Sequence, residues 1–134
     1  MFHRTLAVLL LTFLLVGSAF AHHNMSALFD FNDRVTLTGP ITKIDWRNPH
    51  IYLWLDAKDP TGKAAGGDAQ AWSVEGPPPS FFRARDIDRA DIEAAMGKTI
   101  TAEASRARDG SRSGLLRTLT LPDGKVVSAC PQNC

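Results

Sequence analysis

Residues 35–46 read Val-Thr-Leu-Thr-Gly-Pro-Ile-Thr-Lys-Ile-Asp-Trp, and the apolar phase changes partway along the stretch. Val35, Leu37, Gly39 and Ile41 fall on one phase of a two-residue alternation, and Ile44 and Trp46 fall on the other. Side chains along a strand point to opposite faces in turn, so a one-residue slip moves every following side chain to the other face. The pattern therefore predicts one long extended segment with a bulge or bend near Thr42–Lys43. Gly39-Pro40 contributes to the bend, since both residues weaken a regular ladder. A strand bent in this way serves two sides of a barrel.

Working outward, Arg47-Asn48-Pro49 is a turn signal, and a second strand is predicted over 50–56. Ile51, Leu53 and Leu55 share the core face, which leaves His50, Tyr52 and Trp54 on the other. Residues 59–68 are polar and glycine-rich, a loop without phosphate-binding spacing. A third strand over 70–75 turns Trp72 and Val74 inward. Gly76-Pro77-Pro78-Pro79 ends it, because proline has no N–H to donate to a ladder. Asp88 is an N-cap with Asp91 three residues on, Ile87 and Ile92 are spaced as a hydrophobic staple, and Gly97 stops the helix. A turn of helix over 80–85 precedes it, packing Phe81 or Phe82 on the core. A fourth strand over 98–105 sends Ile100, Ala102 and Ala104 inward. Asp109-Gly110 turns the chain into a fifth strand over 115–121, and Asp123-Gly124 makes a hairpin into Val126 and Val127. This order predicts a mainly β fold: a small OB-like five-stranded barrel with one short helix between strands 3 and 4. A sandwich of two short sheets is the alternative.

Ahead of the barrel, residues 1–21 carry a short basic start, an apolar run too short to span a bilayer, and Ala19-Phe20-Ala21. That is a secretory signal peptide cut after Ala21. The expected organisation is a signal peptide over 1–21, an N-terminal arm over 22–33, the OB-like barrel over 34–128, and a cysteine-containing tail over 129–134. The chain holds 15 Lys and Arg against 14 Asp and Glu. Loss of Arg4 with the leader makes the remainder formally neutral, which leaves no excess charge for phosphates and argues against nucleic acid as a partner. With no second apolar stretch and no cysteine at the cleavage site, the expectation is a soluble periplasmic or secreted protein, neither membrane-spanning nor lipid-anchored.

Cleavage after Ala21 makes His22 the first residue. Its α-amine and ring Nδ1 together chelate a borderline metal such as copper, and the amine loses its proton near neutral pH. His50 is the candidate third nitrogen of a T-shaped histidine brace, His23 is the alternative, and Met25 offers a thioether to copper(I). Asp30 and Asp45 are candidate outer partners of these ligands. The plainer readings are a polar N-terminal arm, and a His50 that caps its turn on the backbone of Asn48 or Asp45. Tyr52, Trp54 and Trp46 form a candidate ligand face, for OB-type barrels bind sugars and single strands with aromatic outer faces. Cover by the helix or arm is the competing reading.

Cys130 and Cys134 are expected to form a disulfide in an oxidising compartment, a Cys-x-x-x-Cys metal clip being the alternative. Arg83, Arg85 and Arg89 interleave with Asp86, Asp88 and Asp91 as a solvated face. Arg106, Arg108 and Arg112 cluster about a loop that suits an anionic partner, though Glu103 and Asp109 dilute their charge. No Ser/His/Asp arrangement, His-Glu-x-x-His or Cys-x-x-Cys motif occurs, so the chain is not expected to be an enzyme.

Five segments carry a resemblance: His22-His23-Asn24-Met25-Ser26-Ala27-Leu28-Phe29-Asp30, Val35-Thr36-Leu37-Thr38-Gly39, Trp46-Arg47-Asn48-Pro49-His50, Trp72-Ser73-Val74-Glu75 and Leu119-Thr120-Leu121-Pro122-Asp123-Gly124. Together they resemble the bacterial exported family catalogued as domain of unknown function 6152, over nearly all of the chain after the leader. The resemblance implies a small exported β-barrel and no known activity. Family members more often begin His-His-Ser, whereas here Asn24 follows the pair, and the cysteine tail is not part of the pattern. The expected function is a ligand-binding module with copper the leading ligand. The alternative is an envelope protein-interaction or glycan-binding module. A copper-dependent oxidative enzyme is the remote third.

Overall fold

The computed structural model of the protein describes residues 25–59 and 68–129. Its elements run α1 (Met25–Leu28), β1 (Phe29–Asp45), β2 (Ile51–Ala57), β3 (Gln70–Gly76), α2 (Pro79–Arg83), α3 (Arg89–Ala94), β4 (Thr99–Ala107), β5 (Ser113–Thr120) and β6 (Val126–Ser128). The sheet order is β3-β2-β1-β4-β5-β6, and β3 also pairs with β5. That parallel pairing joins Ser73 to Ser113 and Glu75 to Leu115, closing five strands into a ring. The fold is mainly β and barrel-like, with the OB-like strand order expected. Two short helices, rather than one, lie between β3 and β4, and the hairpin arm is the paired strand β6.

The ring depends on β1, which pairs with β4 through its first half and with β2 through its second. The β1–β2 register slips between Ile41 and Lys43, at the phase change in the sequence. Val35, Leu37 and Ile41 are buried before the slip, and Ile44 and Trp46 pack on the core after it. A second slip separates Asp30 from Arg34, so pairing with β4 begins at Phe29, five residues ahead of the expected barrel start at 34. Gly39 sits where β1 crosses the end of β2. A Cβ there would lie 2.1 Å from the Asp56 carbonyl oxygen and 2.8 Å from the Ala57 Cα, both backbone atoms that cannot step aside. The glycine thus permits a close crossing, which the Thr38–Lys58 backbone pair holds with bonds of 3.1 and 3.4 Å.

Alternation then fills the interior. Ile51, Leu53 and Leu55 of β2 are fully buried, as are Val74, Ala102 and Leu119. Each large apolar side chain so buried contributes roughly 1.5–3 kcal/mol. Phe82 from α2 and Ile92 from α3 join the same core, so of the neighbouring pair Phe82 is the buried ring. Asp88 caps α3 through a capping box with Asp91, and the staple residues Ile87 and Ile92 are both buried. Gly97 takes φ 71° just beyond, where its N–H donates to the Ile41 carbonyl at 2.9 Å.

Candidate functional site

The outer face of β1, β2 and β3 is assembled by register. Lys43, Trp54 and Ser73 form one cross-strand row, and Asp45, Tyr52 and Glu75 form the next. Because Trp72 and Val74 point inward, Ser73 and Glu75 must point out. His50 stands just ahead of β2, after a cis Asn48–Pro49 bond, and is partly buried.

Glu75 organises this face. Its Oε1 accepts from His50 Nδ1, and the Tyr52 hydroxyl also hydrogen-bonds to its carboxylate. The His50 and Glu75 side chains are 28% and 13% exposed, so the pair is sheltered but still in reach of solvent. Burial holds the Tyr52 proton above the ordinary tyrosine range, and the Glu75 charge, its hydrogen bond and the Asp45 charge act in the same direction. In a neutral His50, an Nδ1–H on Glu75 puts the lone pair on Nε2, the arrangement by which a carboxylate orients a metal-ligating imidazole. This partner differs from the ones expected. His50 meets a carboxylate on the adjacent strand, while Asp45 pairs with Arg47 at 2.7 Å and Asp30 with Arg108 at 3.2 Å. Glu75 was legible only as an outward residue of β3; its role required the β2–β3 register.

The three aromatic residues do not form one strip. Tyr52 and Trp54 lie together, ring centroids 6.0 Å apart, and Lys43 Nζ sits 4.4 Å over the Trp54 ring. Trp46 turns instead to the core, 5.4 Å from the Phe82 ring. Met25 lies in α1, at the opposite end of β1 from His50. His22, His23, Cys130 and Cys134 lie outside the described residues. Among the described residues no three His, Cys, Asp or Glu side chains form a metal-holding group. Nor is any described helix long and apolar enough to cross a membrane.

The predicted solvated face around α2 and α3 is seen in part. Its arginines and aspartates are exposed, and Arg89 pairs with Glu93 one turn along at 2.6 Å. Arg85 instead lies over the Phe81 ring at 3.6 Å.

Fold and face together define a small barrel-like β protein with an ordered His–Glu–Tyr cluster on its outer surface. The chain belongs to a family of unknown function, DUF6152, whose model matches residues 11–117. No curated protein and no solved structure matches it.

Proposed function

We propose that this chain is an exported ligand-binding module that takes copper(II), with donors at two places. The observation that supports it is Glu75 holding His50 by Nδ1, which in a neutral ring leaves the lone pair on Nε2. The second donor set is the N-terminal His22, whose amine and ring form a chelate once the leader is cut after Ala21, with His23 beside it. Three residues of chain reach only about 10 Å, whereas Met25 and His50 are separated by the whole of β1. The proposal therefore assigns His22 and His50 to separate copper contacts rather than to one brace.

Copper(II) titration of purified protein beginning at His22 tests this reading. A tight, near-stoichiometric step is expected, lost when an alanine precedes His22. A weaker step is expected to disappear in His50→Ala. Binding unchanged in both variants overturns the proposal, and loss of one and the same step in both overturns its two-site form. Intact mass of the exported protein checks the rest: a first residue of His22, and a mass two protons low if Cys130 and Cys134 are bridged.

A second reading rests on the Tyr52–Trp54 pair. Two half-buried rings in contact, bordered by Lys43 and Glu75, suit a glycan or an envelope protein. Trp54→Ala is then expected to weaken glycan or partner capture while leaving both copper steps in place. Unchanged capture removes this reading.

A further inference from the structure

We infer that the cavity where β1 begins and β4 passes into β5 is a binding site for a small carboxylate, independent of the copper reading. It has a volume of about 570 Å³ and is lined by Asp30, Asp33, Trp72, Arg106, Arg108 and Arg112 among others. That size lies within the range of small-molecule pockets.

The charges lining it are unevenly matched. Arg106 is held by Asp59 at 2.6 Å and Asp33 at 3.3 Å, and the Asp59 side chain is almost wholly buried. Arg108 is held by Asp30 at 3.2 Å and by the Ser26 carbonyl at 2.9 Å. Arg112 has no carboxylate partner among the described residues. Its backbone carbonyl is fixed by the Ser73 N–H at 3.0 Å, which anchors the residue beside the cavity while its side chain stays exposed. The paired arginines thus shape the wall, and Arg112 is the cation left to answer a ligand. A guanidinium offers a carboxylate two parallel N–H donors.

A second, independent observation points to the same place. Trp72 lines the cavity, is 3% exposed, and its indole Nε1–H has no hydrogen-bond acceptor. Buried donors are nearly always satisfied, so one left without an acceptor on a cavity wall is a mark of a site that a ligand completes. The Arg106 guanidinium lies 5.4 Å from the same ring and holds it in place. The ring faces are packed in the core, so the indole N–H, rather than a ring face, is what a ligand meets, and Ser111 also lines the cavity. A small acid carrying a further hydrogen-bond acceptor matches this lining: its carboxylate at Arg112 and its acceptor at the Trp72 N–H.

Calorimetric titration with benzoate and glucuronate, against benzamide and glucose as their neutral counterparts, tests the inference. At least one acid is expected to bind about tenfold or more tightly than its neutral match, as a charged hydrogen-bonded pair implies. Which acid wins distinguishes a body without further acceptors from one whose hydroxyls supply them. Arg112→Gln, at an exposed position, is expected to abolish the preference, Trp72→Phe to weaken binding of the same acid, and Arg83→Gln, an exposed arginine of α2 outside the cavity, to leave it intact. Equal binding of acids and neutral counterparts, or a preference that survives Arg112→Gln, overturns it.

Discussion

The two faces of β2 are built from alternate residues of one short strand, yet they are determined by different things. Inward, Ile51, Leu53 and Leu55 are wholly buried and take their place from apolarity alone. Outward, His50, Tyr52 and Trp54 are partly buried, and each takes its meaning from a residue on another strand: Glu75 for His50 and Tyr52, Lys43 for Trp54. The interior is thus a property of the strand, whereas the site is a property of the register.

This contrast is open to direct attack. Leu53→Ala is expected to have the largest effect, about 2–5 kcal/mol of stability lost, because its cavity lies in a closed core. Denaturant unfolding measures it, and a loss no greater than that of Trp54→Ala would erase the difference between the faces. Next comes Gly39→Ala. The new methyl meets the backbone of Asp56 and Ala57, and the strain is expected to cost about 1–3 kcal/mol. A neutral result would show that the crossing of β1 over β2 has room for a methyl group at Gly39. Trp54→Ala is expected to cost about 1 kcal/mol or less, the scale of a cross-strand pair.

The subtlest effect concerns Tyr52, the one tyrosine of the chain, so tyrosinate absorbance reports it alone. Its proton is held above the ordinary range by burial first and then by Glu75. A raised value in the folded state means that this contribution to stability is fully present below the unfolded value of about 10. It is lost as pH rises from there through the folded value. In metal-free protein, Glu75→Gln is expected to lower the Tyr52 midpoint and to bring it nearer the unfolded value. A midpoint that does not move would mean that Glu75 does not act on Tyr52.

Much of the fold was legible because it is written locally. The phase change at Thr42–Lys43 marks the register slip, Asp88 and Asp91 spell the capping box, and the β2 stripe names its own core. What alternation cannot give is which strand lies alongside. Glu75 reads as any exposed carboxylate until β3 is set against β2. Trp46 reads as part of an aromatic strip until α2 brings Phe82 to it. The cavity beside Arg106 and Arg112 needs β1, β3, β4 and the buried Asp59 together, and its basic residues showed in sequence only as a loose cluster.

On the copper proposal, Glu75 makes His50 a metal donor by holding its Nδ1. Copper(II) titration of Glu75→Ala, which leaves no side-chain acceptor for that Nδ1–H, is the decisive measurement. The weaker step is expected to lose about 10–100-fold in affinity, the usual cost of removing a partner that orients a ligand. The tight step at His22 should be unchanged. A weaker step as strong as in the parent protein would contradict it.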